Sequence, residues 1–254
     1  MKKFMDKDFL LTNDTAKHLF HDYAEELPIV DYYCHISPRE IYEKRKLDNL
    51  GDVWFFDKEA AGHYFGDHYK WRLMRSNGMS EDVISDRVDE LKRFKGFAET
   101  LEMAIGNPMY HWCNLELRKY FGIQEPLNSR NAEEIWNKCN QMLQSNEELS
   151  VRGLIRQSNV EYIGTTDDPI DTLEWHKKIA EDDTIEFKVR PSFRPDKAIN
   201  INKEGFREYI ESLALAVGKS ELKTVEEVIL ALKDRIEFFA SMGCVASDHG
   251  LDYI

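Results

Sequence analysis

The sequence predicts an α/β fold of parallel strand–helix units, and three observations carry that prediction. Over residues 149–254, apolar β-branched segments alternate with helical patterns, as they do in βα units whose strands run parallel. Four strand candidates each end in His, Asp or Arg, at the end where parallel sheets bind ligands. Between the first and second of them, from Arg39 to about Asn146, the patterns are helical and no strand of similar quality appears.

Taken in order, Pro28 to Ile36 reads as a buried strand, rich in β-branched and aromatic residues and closed by Ser37-Pro38. Helices are predicted over Ser80 to Lys95 and Asn131 to Leu143, the second capped by Asn131 with Glu133 and Glu134 in its first turn. Met109 to Trp112 and Leu115 to Arg118 stand at helical spacing, which predicts core positions for Trp112 and Leu115 and a structural place for His111. A helix over about 149–158 then leads into the strand Val160 to Gly164 and the polar run Thr165-Thr166-Asp167-Asp168-Pro169. A helix over about 170–181, a strand from Ile185 to Asp196, helices over about 203–217 and 224–241 and a last strand candidate, Cys244 to Gly250, complete the chain. The expected organisation is an N-terminal segment with the first strand (1–38), a helical insertion or lid (39–148) and further βα units (149–254). A closed parallel barrel takes about eight such units, so four predict either an open sheet or half of a barrel.

Composition narrows the function. The 254 residues hold 34 Lys and Arg against 47 Asp and Glu, a net charge of −13, with 42% hydrophobic and 12% aromatic residues. That is enough apolar material for a sizeable core. It argues against nucleic acid, because the longest basic cluster is Lys44-Arg45-Lys46. Cys34, Cys113, Cys139 and Cys244 show no CxxC pairing, so neither a zinc knuckle nor a disulfide framework is predicted, and a reducing cytoplasm is. Met1-Lys2-Lys3 precedes Asp6-Lys7-Asp8 rather than an apolar run, and no stretch of about 18 apolar residues occurs, so neither a signal peptide nor a membrane partner is expected.

The candidate site residues cluster at strand ends. Tyr33 and His35, two apart, share one face of a strand; a His-x-His pair there would bind metal, whereas a phenol must first lose a proton of pKa about 10. The other reading of His35 is a hydrogen-bonded residue at a strand end. His63 to Arg72 packs aromatics, histidines and cations around Gly66, either as a lid carrying His68, Tyr69 and Arg72 over a polar substrate or as a buried aromatic patch. Asp168 before Pro169 reads as a helix cap, yet two threonines and two acids exceed what capping requires. Arg194 is placed to grip a substrate carboxylate or to pair with Asp196. Asp248-His249 joins a carboxylate to an imidazole, and on a strand one of the two would face the site.

Taken together, Phe4-Met5 to Leu10-Leu11, Val30-Asp31-Tyr32 with Cys34-His35, Gly66 to Arg72, Ile105 to Trp112, Gly164 to Pro169 and Phe193 to Ala198 resemble the uronate (glucuronate) isomerase family, in order along the whole chain. The resemblance implies a (β/α)8 TIM barrel of the amidohydrolase type, of which about four βα units are expected here. It implies an aldose–ketose isomerase that interconverts D-glucuronate with D-fructuronate and D-galacturonate with D-tagaturonate. It also implies that His68 and Tyr69 lie at the substrate with catalytic roles and that Arg194 binds substrate oxygens; the reading of the strand ends and the lid segment adds Asp248 as catalytic and Arg72, Thr166, Asp168 and His249 as substrate contacts. His35 carries over as a metal ligand, while Tyr33 stands where the family has its other first-strand histidine. A weakly held Zn2+ or other divalent metal, no nucleotide cofactor, a small-molecule uronate substrate and a homo-oligomer are therefore expected. Two rival expectations are an inactive half-barrel that needs a further half, and a metal-dependent hydrolase of the same superfamily.

Overall fold

The computed structural model describes residues 4–57, 65–84 and 89–250. Its contacts divide the chain into a helical unit, Met1–Glu25 with Arg45–Leu154, and a sheet unit, Glu26–Lys44 with Ile155–Ile254.

In the helical unit, Glu90–Met103, Pro108–Phe121 and Ala132–Ser145 are the longest helices. Their apolar stripes close over Trp54, which stacks on Phe94 at 5.7 Å, while Phe94 meets Trp136 at 5.2 Å and Phe97 stands edge-on to Phe55 at 5.4 Å. The Trp54 indole donates to Glu116 Oε2 at 2.6 Å, and burial holds that carboxyl above its ordinary range. Several expectations are corrected here. Met109, Cys113, Leu117 and Phe121 form the buried stripe of Pro108–Phe121, leaving Trp112 57% exposed and Leu115 exposed. The helix carries two apolar stripes, and spacing alone does not rank them. The helix expected over Ser80 to Lys95 is two, Glu81–Ile84 and Glu90–Met103, because the Asp89 carboxylate accepts from the Lys92 amide and starts the second; residues 85–88 lie outside the described ones. Asn131 stands at the expected cap, but its side-chain oxygen accepts from the Asn128 amide at 2.8 Å instead of from the helix. Two strands of two residues each also occur in the stretch where no strand of the first one's quality is expected.

The strands are β1 (Ile29–Asp31), β2 (Phe56–Asp57), β3 (Phe65–Gly66), β4 (Val160–Gly164) and β5 (Lys188–Arg190). β2 and β3 pair antiparallel; each is too short to leave an alternation in the sequence. The sheet unit holds β1, β4 and β5 in that order, all parallel, with helical crossovers between them. Single parallel bridges, Asp167 to Phe193 and Phe193 to Ser247, extend the same order beyond β5. The fourth expected strand is thus one bridge, since Cys244 to Gly250 lies at an edge with a ladder partner on one side. β1 is shorter than expected and is not buried: its register shifts between Ile29 and Val30, and Tyr32 is 76% exposed. Gly164 lets the chain after β1 come close, because a Cβ there would stand 2.8 Å from the Tyr32 carbonyl.

The helix expected over 170–181 runs Glu174–Ala180. Its start is set by Leu173, which adopts φ 54° and buries its side chain with Phe193 and Phe239, the rings of the last two meeting edge-on at 5.2 Å. Asp168 is therefore not the helix cap; its carboxylate accepts from the Ile170 amide and the Tyr209 hydroxyl. Phe206–Ala216 and Val225–Ser241 complete the unit, the latter closed by a Thr224–Glu227 capping box. No described helix is long and apolar enough to cross a membrane.

Candidate functional site

The carboxyl ends of the parallel segments gather five of the sequence-predicted residues. After β1 the chain carries Tyr33 and His35, whose rings stand edge-on at 4.8 Å with His35 Nε2 and the Tyr33 hydroxyl 2.9 Å apart. Past β5, the Arg194 guanidinium donates from Nε to Asp196 Oδ2 at 2.7 Å and from a terminal nitrogen to the Tyr33 hydroxyl at 3.3 Å, and it lies 3.5 Å from Asp248 Oδ2. His249 Nδ1 is 3.5 Å from Asp196 Oδ1. The chain at Asp248 and His249 is no longer strand, so both side chains reach the cluster, correcting the expectation that one of them would. Both readings of Arg194 meet here: its pair with Asp196 forms, and it still faces the shared rim.

The charges of the cluster are matched. The bond to Asp196 raises the Arg194 pKa. Burial alone would raise Asp196, but Arg194 and the Gly250 amide bring it below the usual carboxylate range. Asp248 Oδ1 is buried with no hydrogen-bond partner among the described residues. An anion arriving at Arg194 must compete with two carboxylates, while an incoming hydroxyl finds an acceptor in Asp248.

The polar run after β4 splits in two. Thr166 donates to the Cys34 carbonyl at 3.1 Å, tying the β1 extension to β4. Asp168 is held by Tyr209 at 2.8 Å and Lys197 at 3.1 Å. Thr165 and Asp167 turn inward to His176 and are buried. Sequence reasoning missed Thr165, Asp167, His176, Tyr209 and Lys197 as partners. Thr165 and Asp167 carried a signal, being two apart at a strand end; His176, 11 residues on and inside a helix, carried none.

His68, Tyr69 and Arg72 belong to the helical unit, in the first five residues of His68–Ser76. There the Asp67 carboxylate caps the helix by accepting from the Tyr69 and Lys70 amides at 2.9 and 3.0 Å. All three are exposed, Tyr69 at 64%, so a buried aromatic patch is not what they form. His63 and Tyr64 lie outside the described residues.

The donor set does not make a metal centre. His35 faces a phenol rather than a second imidazole, and among the described residues no group of three His, Cys, Asp or Glu side chains is arranged to hold a cation.

Against known proteins, a family model described as Glucuronate isomerase matches residues 1–254. A protein named uronate isomerase from Lachnospira eligens is 53% identical over 254 residues, and one of the same name from Caldanaerobacter subterraneus is 48% identical. Each alignment takes in 100% of this chain and 52% of the relative. The crystal structure of uronate isomerase from Thermotoga maritima superposes with a TM-score of 0.86 at 36% identity, over 98% of this chain and 52% of that one. A glucuronate isomerase structure from Caulobacter crescentus, 24% identical with a TM-score of 0.84, shares the fold. The chain spans about half the length of the curated relatives it matches. By the family match over all of its residues, the chain belongs to the glucuronate isomerase family.

Proposed function

We propose that a protein carrying this chain interconverts D-glucuronate and D-fructuronate, and D-galacturonate and D-tagaturonate, as an aldose–ketose isomerase. The observation that carries the reading is the meeting of Tyr33 and His35 after β1, Arg194 past β5, and Asp248 and His249 past the Ser247 bridge, in a chain of this family. In the same reading the parallel segments are successive strands of a (β/α)8 TIM barrel of the amidohydrolase type.

The chemistry is a transfer of one proton between neighbouring carbons. A base takes the C2 proton, the C2–H electron pair becomes the C1–C2 double bond, and O1 takes up a proton to give a cis-enediol. Loss of the O2 proton and protonation of C1 then yield the ketose. The reaction is redox-neutral and draws on no nucleotide cofactor. Asp248, with one oxygen unpartnered, is suited to accept from a substrate hydroxyl or take a proton. Arg194 supplies a fixed cation for the remote carboxylate, with Thr166, Asp168 and His249 at sugar oxygens; the roles of Arg72 in substrate contact and of His68 and Tyr69 in proton transfer rest on the sequence reading and the family resemblance alone. We take any divalent metal, Zn2+ included, to be weakly held, because His35 is its one first-strand ligand. The setting is cytoplasmic and the protein self-associates, in keeping with four free cysteines and the exposed Ile29, Val30 and Tyr32.

The test follows ketose formation from glucuronate and from glucose side by side with a folded protein carrying residues 1–254. Turnover of glucuronate alone is expected. Equal turnover of both sugars, or of neither, would overturn the assignment.

A further inference from the structure

Beneath the Arg194 cluster lies a polar group that the proposed chemistry does not use. Thr165, Asp167 and His176 are 1%, 5% and 3% exposed, and buried polar atoms persist where they satisfy one another. Thr165 Oγ1 has three neighbours: Asp167 Oδ2 at 2.6 Å, His176 Nε2 at 2.8 Å and the Arg190 carbonyl at 3.2 Å. The hydroxyl has one proton to give, and the carboxylate and carbonyl oxygens are acceptors. The proton goes to Asp167, the shortest contact, so His176 donates from Nε2 to Thr165. His176 lies 3.7 Å from Asp167 Oδ1, beyond hydrogen-bond reach, and acts through the threonine.

The line continues into the rim. Asp167 Oδ2 also accepts from the Ser192 amide, which it shares with the Thr165 carbonyl, both at 3.1 Å. The Asp167 amide donates to the Ser192 carbonyl and the Asp167 carbonyl accepts from the Arg194 amide, both at 3.0 Å. One aspartate thus holds the Ser192 to Arg194 backbone at three points.

We propose that His176, Thr165 and Asp167 form a buried hydrogen-bond relay that positions Arg194 for its anion. They are positioning residues, acting through the Ser192 to Arg194 segment, and the proposal rests on the reading that Arg194 receives a uronate.

The relay has two protonation states. His176 comes from the helix Glu174–Ala180, Arg190 faces from β5 and Asp171 from the loop before the helix. Burial pushes Asp167 up to about 6, against the opposing bonds from Thr165 and Ser192. Burial, helped by Arg190, brings His176 down to about 4, which keeps it neutral through the physiological range. Protonated Asp167 turns an acceptor into a donor and loosens its hold on the Ser192 amide.

Nitrogen-15 NMR of the histidine and arginine side chains reads this directly. His176 is expected as the neutral Nε2–H tautomer from pH 5 to 8, and the Arg194 Nε resonance to step near pH 6. Asp167→Asn and Thr165→Val should shift that resonance and abolish the step, and Thr165→Ser should restore both. With glucuronate, the first two should raise KM about tenfold with kcat changed less than about twofold. A His176 Nδ1–H tautomer, or an unchanged Arg194 resonance and step in folded Thr165→Val, overturns the relay. Should the variants fail to fold, the tautomer and the step in the unaltered protein still decide. Absence of glucuronate turnover in the unaltered protein overturns the isomerase reading and leaves the NMR result to judge the relay.

Discussion

In the helical unit, Trp54, Phe94, Phe97 and Trp136 meet ring against ring with almost no exposed surface, and the candidate residues His68, Tyr69 and Arg72 stand outside that core in the first five residues of one helix. In the sheet unit Leu173, Phe193 and Phe239 form one buried cluster, and Ile163, Ile179, Val189 and Leu213 are buried as well, while β1 is exposed and the strand ends are crowded with charge. The first region is held by apolar packing that tolerates polar change at its surface. The second has an apolar interior too, but at its strand ends the polar bonds are themselves the candidate chemistry. Substitutions should therefore separate: ring deletions in the helical unit should cost stability, and changes at the strand ends should cost binding.

The largest effect should follow Trp54→Ala. It removes a buried indole touching Phe94 and Phe97 and strips Glu116 of its donor, so a loss of about 3–5 kcal/mol is expected by denaturant unfolding. A loss under about 1 kcal/mol would show that the rings do not carry the unit.

At the strand ends, Arg194→Ala should lower kcat/KM for glucuronate by roughly ten- to a hundredfold, since a charge-assisted bond contributes about 1.5–3 kcal/mol. The unfolding midpoint should move little. If stability falls as far as for Trp54→Ala, Arg194 is a structural strut and the contrast between the units fails.

The exposed face of β1 sharpens the contrast from another side. Val30 is half exposed on an edge strand, a surface that promotes association. Light scattering should show concentration-dependent self-association, weakened about tenfold by Val30→Lys, close to the burial of one valine. A monomer at every concentration, in both forms, would mean that this face needs no cover. Tyr33→His should tighten Zn2+ binding by about tenfold, read by competition with a chromophoric chelator, because the new imidazole would lie beside His35. Equal affinities would remove position 33 from any metal site.

What the sequence shows of this molecule follows from how far each signal reaches. The parallel βα order was legible, because strand and helix alternate locally; so were Tyr33 with His35 and Arg194 with Asp196, which are two apart. The boundaries of β1 and of the last strand candidate were not, since edge segments pair on one side and pattern does not reveal a missing neighbour. Thr166 and Asp168 were chosen from the run after β4, yet Thr165 and Asp167 enter the buried relay. Alternation puts Thr165 with Asp167 on one face but does not say which face is inward, and the partner that draws them, His176, sits on another element. The stripe of Pro108–Phe121 was misjudged for a related reason: two apolar stripes compete, and the neighbouring helices choose.

The smallest effect in the intact protein is the pH dependence of stability from Asp167 and His176, because their contributions oppose each other. Asp167 binds its proton more tightly when folded, with a pKa near 6 against an ordinary 3.8. Between those values the native state holds more protons than the unfolded chain, so this contribution to stability falls as pH rises through the window. His176 is held near 4 against an ordinary 6.5, so between those values the unfolded chain holds more protons and stability rises with pH. The windows nearly coincide and the slopes cancel. Each variant removes one of the two contributions: relative to the unaltered protein, Asp167→Asn should gain stability as pH rises from about 4 to 6, and His176→Gln should lose it from about 4 to 6.5, each by at most about 1.4 kcal/mol per pH unit. Urea unfolding of both variants and the parent at matched pH values gives the two differences. Opposite slopes keep a polar, proton-coupled interior in the sheet unit as the counterpart of the helical unit's aromatic one; two flat differences, or two of the same sign, would erase that distinction.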